Sequence, residues 1–507
     1  MSGLAYRLAI RTHWAEALAP QARSKWIGSV GAAPARFAVM ACVLVVFAYS
    51  TLSLSAQSLS LDEVDTLGFA TEPLSKFLAT FAGPAQNGPL YFLLMRPWVA
   101  LLGDSEFVLR FPSVMGLVLL IPLTFALGRK LDGLGLGCVT AVLVAGSPFV
   151  RWYGQDAKMY TIVACLSVLS SYALHRALEP NSGRWRATYA LAAITGLFTH
   201  LFFVFVLLFH AVGFVLTPPD ERRDWRRVAL PAGLVLAAYA PLGAWEIPAV
   251  LRGYETPLRF VSFPELLTTL VLRLSLQRED VQSLLLVAPF AVCLVMAFVA
   301  RPGHAGAGLR PRFWLALYLA VPVVAFFLVS WRVPGFMARY FMIIAPAFYL
   351  AIGLGLLNTL RRDRLIGGAA IASITLLWAW SFASPGEVRP DFRKTADYVR
   401  ANAQPGDGIG FIAEYAQRPF DYYFRADGLR PVPFPYSVGA SPEAVASRIP
   451  QDVARAAASL RRVWLIEYEE WLWDPKAASR EWLGQHGHLL AAQRFDGVSI
   501  SLFEITG

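Results

Sequence analysis

Charged side chains are scarce in this chain of 507 residues. Asp, Glu, Lys and Arg make up only 16% of it, while 56% of the residues are hydrophobic and the mean hydropathy is +0.49. Soluble globular domains carry about 25% charged residues, so this composition excludes an ordinary soluble protein. Repeated apolar runs of membrane-spanning length account for the excess and predict a polytopic α-helical membrane protein.

Cysteine is equally scarce, with four residues in the whole chain. Cys42, Cys138, Cys165 and Cys293 all lie inside apolar runs, which is typical of small membrane-embedded side chains rather than of a disulfide framework or a metal cluster. The sequence also has no nucleic-acid motif. Its net charge of +10 comes from arginines in the short loops between apolar runs, where the positive-inside rule explains them.

About eleven apolar runs predict the membrane spans. They cover residues 37–55, 107–128, 135–150, 159–178, 187–199, 201–217, 228–245, 281–300, 313–330, 340–358 and 365–383. The stretch 187–217 could hold one tilted span or two short ones that meet near His200. Basic loops on both flanks must be cytoplasmic, which requires two crossings. We therefore expect a basic cytoplasmic tail at 1–36 and a transmembrane catalytic domain at 37–383.

The composition becomes globular after residue 384. An amphipathic helix is predicted from Asp391 to Ala401, and strands are predicted at 409–412, 463–466, 491–495 and 498–503. This alternation predicts an α/β domain over 384–507. An odd number of spans places that domain outside the cytoplasm. Two short apolar segments in the first outward loop, 72–78 and 89–94, predict helices that lie along the membrane surface.

Three outward segments carry the polar groups that could perform chemistry. They are Asp62-Glu63-Val64-Asp65, the stretch from Arg151 to Tyr160, and the stretch from Arg332 to Tyr340. Carboxylates just beyond a span face water or a protein cavity, so Asp62 and Glu63 are the first candidates for an active site. The plain alternative is that all three segments hold solvated loop charges. Asp65 is most simply a solvated or helix-capping charge.

Five motifs in order make the chain resemble a known class of enzymes. They are Leu61-Asp62-Glu63, Gly88-Pro-Leu-Tyr-Phe-Leu-Leu94, Ser105-Glu-Phe-Val-Leu-Arg-Phe-Pro-Ser113, Tyr153-Gly-Gln-Asp-Ala-Lys-Met-Tyr160 and Phe198-Thr-His200. The sequence is similar to the membrane-embedded glycosyltransferases of the GT-C class. It most resembles the family-39-like bacterial enzymes that are related to protein O-mannosyltransferases and to the aminoarabinose transferase of lipid A.

The resemblance implies transfer of a hexosyl or pentosyl group from a polyprenyl-phosphate donor to an acceptor hydroxyl, with inversion, at the outer face of the membrane. Asp62 would be the general base, Glu63 its neighbour in the site, and Asp156 a second carboxylate that orients substrate or a cation. Arg339 would bind the donor phosphate, assisted by Lys158 or by an arginine of the loop 246–280, either Arg259 or Arg273.

Further side chains of these motifs would contact the substrate. They are Tyr91, Tyr153, Gln155, Tyr160, His200 and Tyr340. His200 could equally well hydrogen-bond only its neighbours. A divalent metal ion would be a possible cofactor, and Asp62, Asp156 and His200 would then be its ligands. The aromatic rings of Trp152-Tyr153 and Tyr422-Tyr423-Phe424 could stack on sugars, although aromatic belts are common at membrane interfaces.

Two other readings compete with a sugar transferase. A transporter or flippase for a lipid-linked sugar also needs polar groups in the membrane, but transporters usually place them at the bilayer midplane and show repeated halves. An oligosaccharide ligase would use a lipid diphosphate donor instead. The partners we expect are the lipid donor, a lipid, glycan or protein acceptor, and membrane lipids. A polyprenyl donor and short basic loops fit a bacterial inner membrane.

Overall fold

A computed structural model of the chain describes residues 33–83, 87–216, 226–254, 256, 258–299, 309–424, 429–431, 451, 454–455 and 460–506. The tail predicted at 1–36 lies almost wholly outside these residues. The chain divides into two compact units. The helical unit comprises the described residues of Met1–Ser50, Ser113–Gly154 and Met159–Ser384, and the mixed unit comprises those of Thr51–Pro112, Gln155–Lys158 and Pro385–Gly507.

Both units contain helices. In chain order they are α1 Ala33–Leu52, α2 Leu61–Thr71, α3 Leu74–Phe81, α4 Leu90–Leu102, α5 Glu106–Asp132, α6 Leu134–Gly146, α7 Pro148–Gly154, α8 Tyr160–Ala177, α9 Gly183–Thr199, α10 Phe203–Leu216, α11 Arg226–Arg252, α12 Phe263–Leu276, α13 Ala288–Val299, α14 Leu309–Ser330, α15 Ala345–Arg362, α16 Arg364–Ala383, α17 Phe392–Asn402, α18 Gln417–Tyr423, α19 Glu470–Trp473 and α20 Ala478–Gln485. Short 3₁₀ helices occupy Val281–Val287, Ala338–Ile343 and Glu414–Ala416.

Every apolar run of the sequence coincides with one or more of these helices. In the described residues, six helical stretches are long and apolar enough to cross a membrane, and the pair α6 and α7, bent by 59°, makes a seventh if it is one span. The chain is therefore an integral membrane protein. Several other helices are too short or too polar to qualify alone, so the number of crossings stays a prediction.

The helix breaks where the sequence indicates a boundary near His200. Helix α9 ends at Thr199, and His200 adopts an extended conformation with φ −152° and ψ 128°. Helix α10 begins at Phe203. The stretch 187–217 is thus two helical segments rather than one long helix.

Helix α15 is the most deeply buried element of the helical unit. Its residues from Ala345 to Leu356 are all buried. Gly355 packs directly against the carbonyl oxygen of Cys293 on α13, where no Cβ would fit. The buried hydroxyl of Tyr349 donates to the carbonyl oxygen of Leu274 at 2.7 Å and also contacts Ser147. Buried polar groups need such partners, because an unmet hydrogen bond costs about 1–3 kcal/mol.

The mixed unit contains a five-stranded sheet in the order β2-β1-β3-β5-β4. Its strands are β1 Gly408–Phe411, β2 Arg430–Pro431, β3 Arg462–Glu467, β4 Gly487–Phe495 and β5 Val498–Ile505. Strand β1 pairs in parallel with β2 and β3, while β5 is antiparallel to β3 and β4. Asp496 and Gly497, with φ +67° at the glycine, form the tight turn between β4 and β5. The α/β prediction for the C-terminal region is confirmed.

Each face of the sheet has its own apolar core. Helices α17 and α18 cover one face, where Phe392, Phe420 and Trp464 are fully buried. Helix α20 covers the other through Leu483. Helix α17 begins where the sequence predicts it, because the carboxylate of Asp391 accepts a hydrogen bond from the N–H of Lys394 at 3.0 Å. This N-cap satisfies a helix donor that would otherwise have no partner.

The boundary near 384 coincides with the end of the helical unit, at Ser384. The first outward loop and residues 155–158, however, group with the C-terminal domain rather than with the helical unit. The two short apolar segments of that loop form helices α3 and α4. The candidate carboxylates therefore share one compact unit with the C-terminal sheet.

Candidate active site

A buried ion triad anchors the loop that carries the candidate carboxylates. The side chain of Glu63 is 0% exposed. Arg110 donates to it twice, from Nε to Oε1 at 2.6 Å and from Nη2 to Oε2 at 2.8 Å. Nη1 of Arg389, from the C-terminal region, lies 2.9 Å from the same Oε1. A bidentate arginine–carboxylate pair is among the stronger polar contacts in proteins.

The charge state of Glu63 follows from these neighbours. Burial alone would raise its pKa, but the guanidinium groups of Arg389 and Arg110 hold the pKa of Glu63 well below its ordinary value. The backbone N–H of Ser60 also donates to Oε2 at 2.9 Å, which completes a capping box at the start of α2. Glu63 is thus a fixed carboxylate with occupied oxygens, which favours a positioning role over proton transfer.

Arg110 ties the same loop to the start of α5. Its Nη1 donates to the carbonyl oxygens of Leu54 at 2.6 Å and Gln57 at 2.8 Å, and its Nη2 donates to that of Ser58 at 2.8 Å. Five hydrogen bonds from one guanidinium use all its donors. The conformation of the chain that leads into α2 is therefore set by one buried arginine.

Ala157 brings a second candidate segment onto α2. Its N–H donates to Oε1 of Glu63 at 3.0 Å, and its carbonyl oxygen accepts from the hydroxyl of Thr66 at 2.9 Å. Glu63 and Thr66 lie one helical turn apart on α2, so both polar groups of the Ala157 backbone are fixed against one helix. The neighbours of Ala157 are Asp156 and Lys158, both buried. The structure thus brings Asp156 and Lys158 to the helix that carries Asp62.

Asp62 occupies the first turn of α2 and is half-buried. The positive end of the helix dipole stabilises a carboxylate there. Tyr468 of the C-terminal domain is one of its neighbours: burial, with the carboxylates of Glu469 and Asp62 nearby, raises the pKa of Tyr468. Asp62 directly precedes Glu63 and Asp156 directly precedes Ala157, and Glu63 and Ala157 are joined by a hydrogen bond. This bond therefore restrains the backbone next to both carboxylates.

Asp65 differs from its expected role. It does not cap the helix, since Ser60 holds the N-cap position. It is not simply solvated either, because it forms an ion pair with Arg418 at the start of α18. Burial raises the pKa of Asp65, and the positive charges of Arg418 and Lys158 act against that rise. The correction has a physical reason: the partner comes from the C-terminal domain, which the local sequence around Asp65 does not reveal.

Two predicted substrate contacts also lie in the mixed unit. The ring of Tyr91 is buried and packs edge-on against Phe92 at 5.3 Å between centroids. The ammonium of Lys158 lies 5.3 Å from the centre of the same Phe92 ring, within cation–π range. The backbone oxygen of Gln155 accepts from Nη2 of Arg389 at 2.9 Å. Arg389 therefore holds both Glu63 and the segment that carries Asp156.

The other predicted substrate contacts meet in the helical unit, in an aromatic cluster around Arg339. The guanidinium carbon of Arg339 lies 6.0 Å from the ring centre of Tyr160 and 5.9 Å from that of Tyr340. The ring of His200 is 5.2 Å from that of Tyr340. Tyr153 lies 5.5 Å from Tyr160. Five candidates from three distant segments are thus brought together.

His200 is buried in this cluster, and its Nδ1 accepts a hydrogen bond from the N–H of Phe202 at 3.1 Å. Burial, and then the charge of Arg339, lower the pKa of His200. The lowered pKa favours the neutral ring, which can accept this hydrogen bond at the break between α9 and α10. Its Nε2 forms no hydrogen bond with protein atoms that the structure describes.

Comparison with known proteins identifies the architecture. Residues 86–245 match a family model described as dolichyl-phosphate-mannose-protein mannosyltransferase. A search of curated proteins gave no match. The apo structure of ArnT from Cupriavidus metallidurans has a TM-score of 0.56 and 14% identity over 93% of this chain and 98% of ArnT. The same protein bound to undecaprenyl phosphate has a TM-score of 0.55 and 14% identity over 92% and 97%.

A third similar structure, the archaeal oligosaccharyltransferase AglB from Archaeoglobus fulgidus, has a TM-score of 0.51 and 11% identity over 91% of this chain and 74% of AglB. These proteins share the architecture of membrane glycosyltransferases. The chain has the GT-C fold. The resemblance expected from the motifs is therefore confirmed, and at these identities the likeness to solved structures establishes the fold alone.

Two other arginines of this GT-C chain were expected to assist at the donor phosphate. Arg259 is exposed and forms an ion pair with Glu265. Arg273 is buried on α12, and its Nε donates to Glu279 at 2.8 Å. Each is neutralised by a carboxylate six residues further along the chain. A donor phosphate would therefore have to compete with that carboxylate at either arginine.

No group of three or more His, Cys, Asp or Glu side chains in the described residues has the arrangement of a metal site. The set Asp62, Asp156 and His200 therefore stays a prediction about a possible divalent ion. Neutral His200 and two carboxylates are suitable ligand types for such an ion.

Three neighbours of the candidate carboxylates were not expected from the sequence. Arg110 lies in a quoted motif, and an arginine at the start of an apolar run needs a buried partner, so its presence was a usable signal. Arg389 follows a proline-glycine linker and Tyr468 follows a buried strand. Neither position carries a local pattern that points to Asp62 or Glu63.

Proposed function

We propose that this protein is a glycosyltransferase that moves a hexosyl or pentosyl group from a polyprenyl phosphate to an acceptor hydroxyl. The observation that carries the proposal is the pair Asp62 and Asp156, each fixed beside the buried Glu63–Arg110–Arg389 triad on a GT-C fold. The match to ArnT bound to undecaprenyl phosphate supports the class of donor.

The reaction needs one base. The acceptor oxygen attacks the anomeric carbon of the donor, and its proton passes to the carboxylate of Asp62. The bond between that carbon and the phosphate oxygen breaks, and its electron pair stays on the phosphate, so the product is the polyprenyl phosphate with inversion at the sugar. A phosphate leaves without a protonated acid, because it is stable as an anion. A positioned base supplies about 10²- to 10⁴-fold of rate.

The other predicted residues have roles that follow from their positions. Asp156 orients the sugar hydroxyls or a divalent cation beside Asp62. Arg339, set among Tyr160, His200 and Tyr340, binds the donor phosphate through charge-assisted hydrogen bonds. Lys158 adds a point charge near Asp65. Glu63 holds the base in place, since its oxygens are occupied by Arg110, Arg389, Ser60 and Ala157.

The test is a deletion strain that expresses either the wild-type chain or Asp62→Asn. Mass spectrometry of its lipids measures the polyprenyl-phosphate sugars. We expect a donor to accumulate in the deletion strain, to fall with the wild-type chain and to stay high with Asp62→Asn. Unchanged lipid-linked sugars would contradict a transferase. Full rescue by Asp62→Asn would favour a flippase, and accumulation of a lipid diphosphate oligosaccharide would favour a ligase.

We also propose that the protein lies in a bacterial inner membrane with the mixed unit outside the cytoplasm. The support is the basic loops between apolar runs. Fusions of alkaline phosphatase and of a fluorescent protein to the C-terminus measure the side. Phosphatase activity without fluorescence is the expected result, and the reverse pattern would reject the orientation.

A further inference from the structure

A wide polar cleft in the mixed unit is not used by the chemistry described so far. Its volume is about 980 Å³, and it is lined by α2, α3, the chain at the start of α5, and α18. Asp65 of α2 lies in its wall. Asp62 is three residues earlier on that helix, which is less than one turn of about 5.4 Å. The cleft therefore begins beside the proposed base.

We infer that this cleft binds the acceptor, and that the acceptor is a glycan without phosphate or carboxylate groups. The inference rests on the proposed function, because it names the substrate for the hydroxyl that Asp62 activates. It goes further than the fold, which is shared by enzymes with different acceptors. Charge, aromatic side chains and size each support it.

The charge of the wall opposes an anionic ligand. Among the residues that the structure describes, five carboxylates but only three cationic side chains line the cleft. The cations are each paired with a carboxylate of the wall, as Lys76 with Glu72, Arg393 with Glu106, and Arg418 with Asp65. The other two carboxylates are Asp104 and Asp421, and neither forms an ion pair with any residue that the structure describes. An acceptor phosphate would meet neutralised cations and uncompensated negative charge, which costs binding energy.

The hydrogen-bond-accepting oxygens in the wall match the hydroxyl groups of a sugar. Carboxylates only accept hydrogen bonds, and sugar hydroxyls can donate to them. Oε1 of Glu72 is buried and accepts no hydrogen bond from the described part of the chain. Asp421 accepts one from the side chain of Gln417 at 3.2 Å, which leaves further lone pairs for a ligand. A hydroxyl-rich ligand would satisfy these oxygens.

Two tyrosines of α18 supply flat apolar surface beside those acceptors. The hydroxyl of Tyr423 donates to Glu106 and accepts from the N–H of Leu59 at 2.6 Å, so its ring is fixed. The ring of Tyr422 packs at right angles to it, with centroids 4.8 Å apart, and its hydroxyl donates to the backbone oxygen of Asp104 at 3.0 Å. Tyrosine rings held in this way offer rigid contact area for the face of a sugar ring.

The size of the cleft favours an oligosaccharide over a single sugar. Ligand pockets measure about 300–1,000 Å³, and this cleft lies near the upper end of that range. A chain of several sugar units would place one ring on Tyr422 and another near Asp65. The reacting hydroxyl would then lie at the end of the cleft that Asp65 lines, within one helical turn of Asp62.

The experiment is glycan binding by the full-length protein in nanodiscs of zwitterionic lipid, on an array of neutral, amino, phosphorylated and uronic-acid oligosaccharides. Serine- and threonine-containing peptides are included as probes of another acceptor class. We expect binding to neutral or amino oligosaccharides. Tyr422→Ala should weaken it by about tenfold or more, while Tyr422→Phe, which keeps the ring, should retain most of it. Asp421→Asn should weaken it less.

Trp471→Ala is the matched control, since Trp471 is 71% exposed and outside the cleft. Thermal unfolding of each variant shows whether it is folded. Preference for phosphorylated or carboxylated glycans, binding to peptides alone, no binding to any probe, or equal loss in Trp471→Ala and Tyr422→Ala would each overturn the inference. Binding needs no donor, so glycan binding in a protein that fails to consume polyprenyl-phosphate sugars would reject the proposed function and leave the acceptor site standing.

Discussion

Glu63 and Arg389 are far apart in the sequence, yet Nη1 of Arg389 lies 2.9 Å from Oε1 of Glu63, and both side chains are almost fully buried. The contact joins the C-terminal region to the residue next to the proposed base. The C-terminal region thus supports the loop that carries the proposed base, so deletion of the C-terminal domain should abolish donor hydrolysis as well as transfer.

Asp62→Asn is expected to lower sugar transfer by about 10²- to 10⁴-fold, because it keeps the shape of the side chain and removes the base. Donor binding should survive, since the lipid tail and phosphate supply most of it. Turnover and donor affinity of the purified protein in nanodiscs are the measurements. Asp397→Asn, an exposed carboxylate paired with Arg400, is the control. Near-normal turnover of Asp62→Asn would transfer the role of base to Asp156.

Arg339→Ala should weaken donor binding by about tenfold or more, because a charge-assisted hydrogen bond contributes about 1.5–3 kcal/mol. Arg339→Lys should lose less, since it keeps the charge but not the planar fork. Arg259→Ala is the matched control, as Arg259 is already paired with Glu265 at an exposed position. The measurement is the apparent affinity of each variant for the lipid donor. An equal effect of Arg259→Ala would contradict the assignment of the phosphate contact to Arg339.

Arg389→Gln is expected to destabilise the mixed unit by about 1–3 kcal/mol, because it removes one of the two guanidinium groups beside buried Glu63 and the hydrogen bond to the carbonyl oxygen of Gln155, while Arg110 stays in place. Transfer should fall with it, because Asp62 and Asp156 lose a common support. Arg400→Gln, on the exposed surface, should cost less than about 1 kcal/mol. Thermal unfolding of both variants provides the comparison, and similar melting temperatures would show that the triad does not stabilise the loop.

The stability that Glu63 supplies should depend on pH. Its pKa is lowered in the folded state from an ordinary value of 4.5, so its contribution is fully present above that value and is lost as the pH falls towards the folded pKa. The difference in melting temperature between the wild-type chain and Glu63→Gln should therefore be largest near about pH 7 and shrink below about pH 4.5. A difference that stays constant across this range would contradict the ion triad.

Much of the architecture could be predicted from the sequence, because it depends on patterns that are local. Scarcity of charge and long apolar runs specify membrane helices whatever their neighbours are. The strand β1 follows from a short apolar run, and the cap of α17 follows from the single side chain of Asp391. The residue types that could bind or react, such as Asp62, Asp156 and Arg339, were also visible as polar groups beside apolar runs.

Only the tertiary structure decided what those residues do to one another. Glu63 and Asp62 are neighbours of similar chemistry in the sequence, but Glu63 is enclosed by Arg110 and Arg389 whereas Asp62 stays half-buried beside Tyr468. Asp65 likewise forms an ion pair with Arg418, which is distant in the sequence. Burial and charge pairing set the state of a carboxylate, and its partners here come from distant parts of the chain. No local pattern contains that information, so it arises only when the fold brings those parts together.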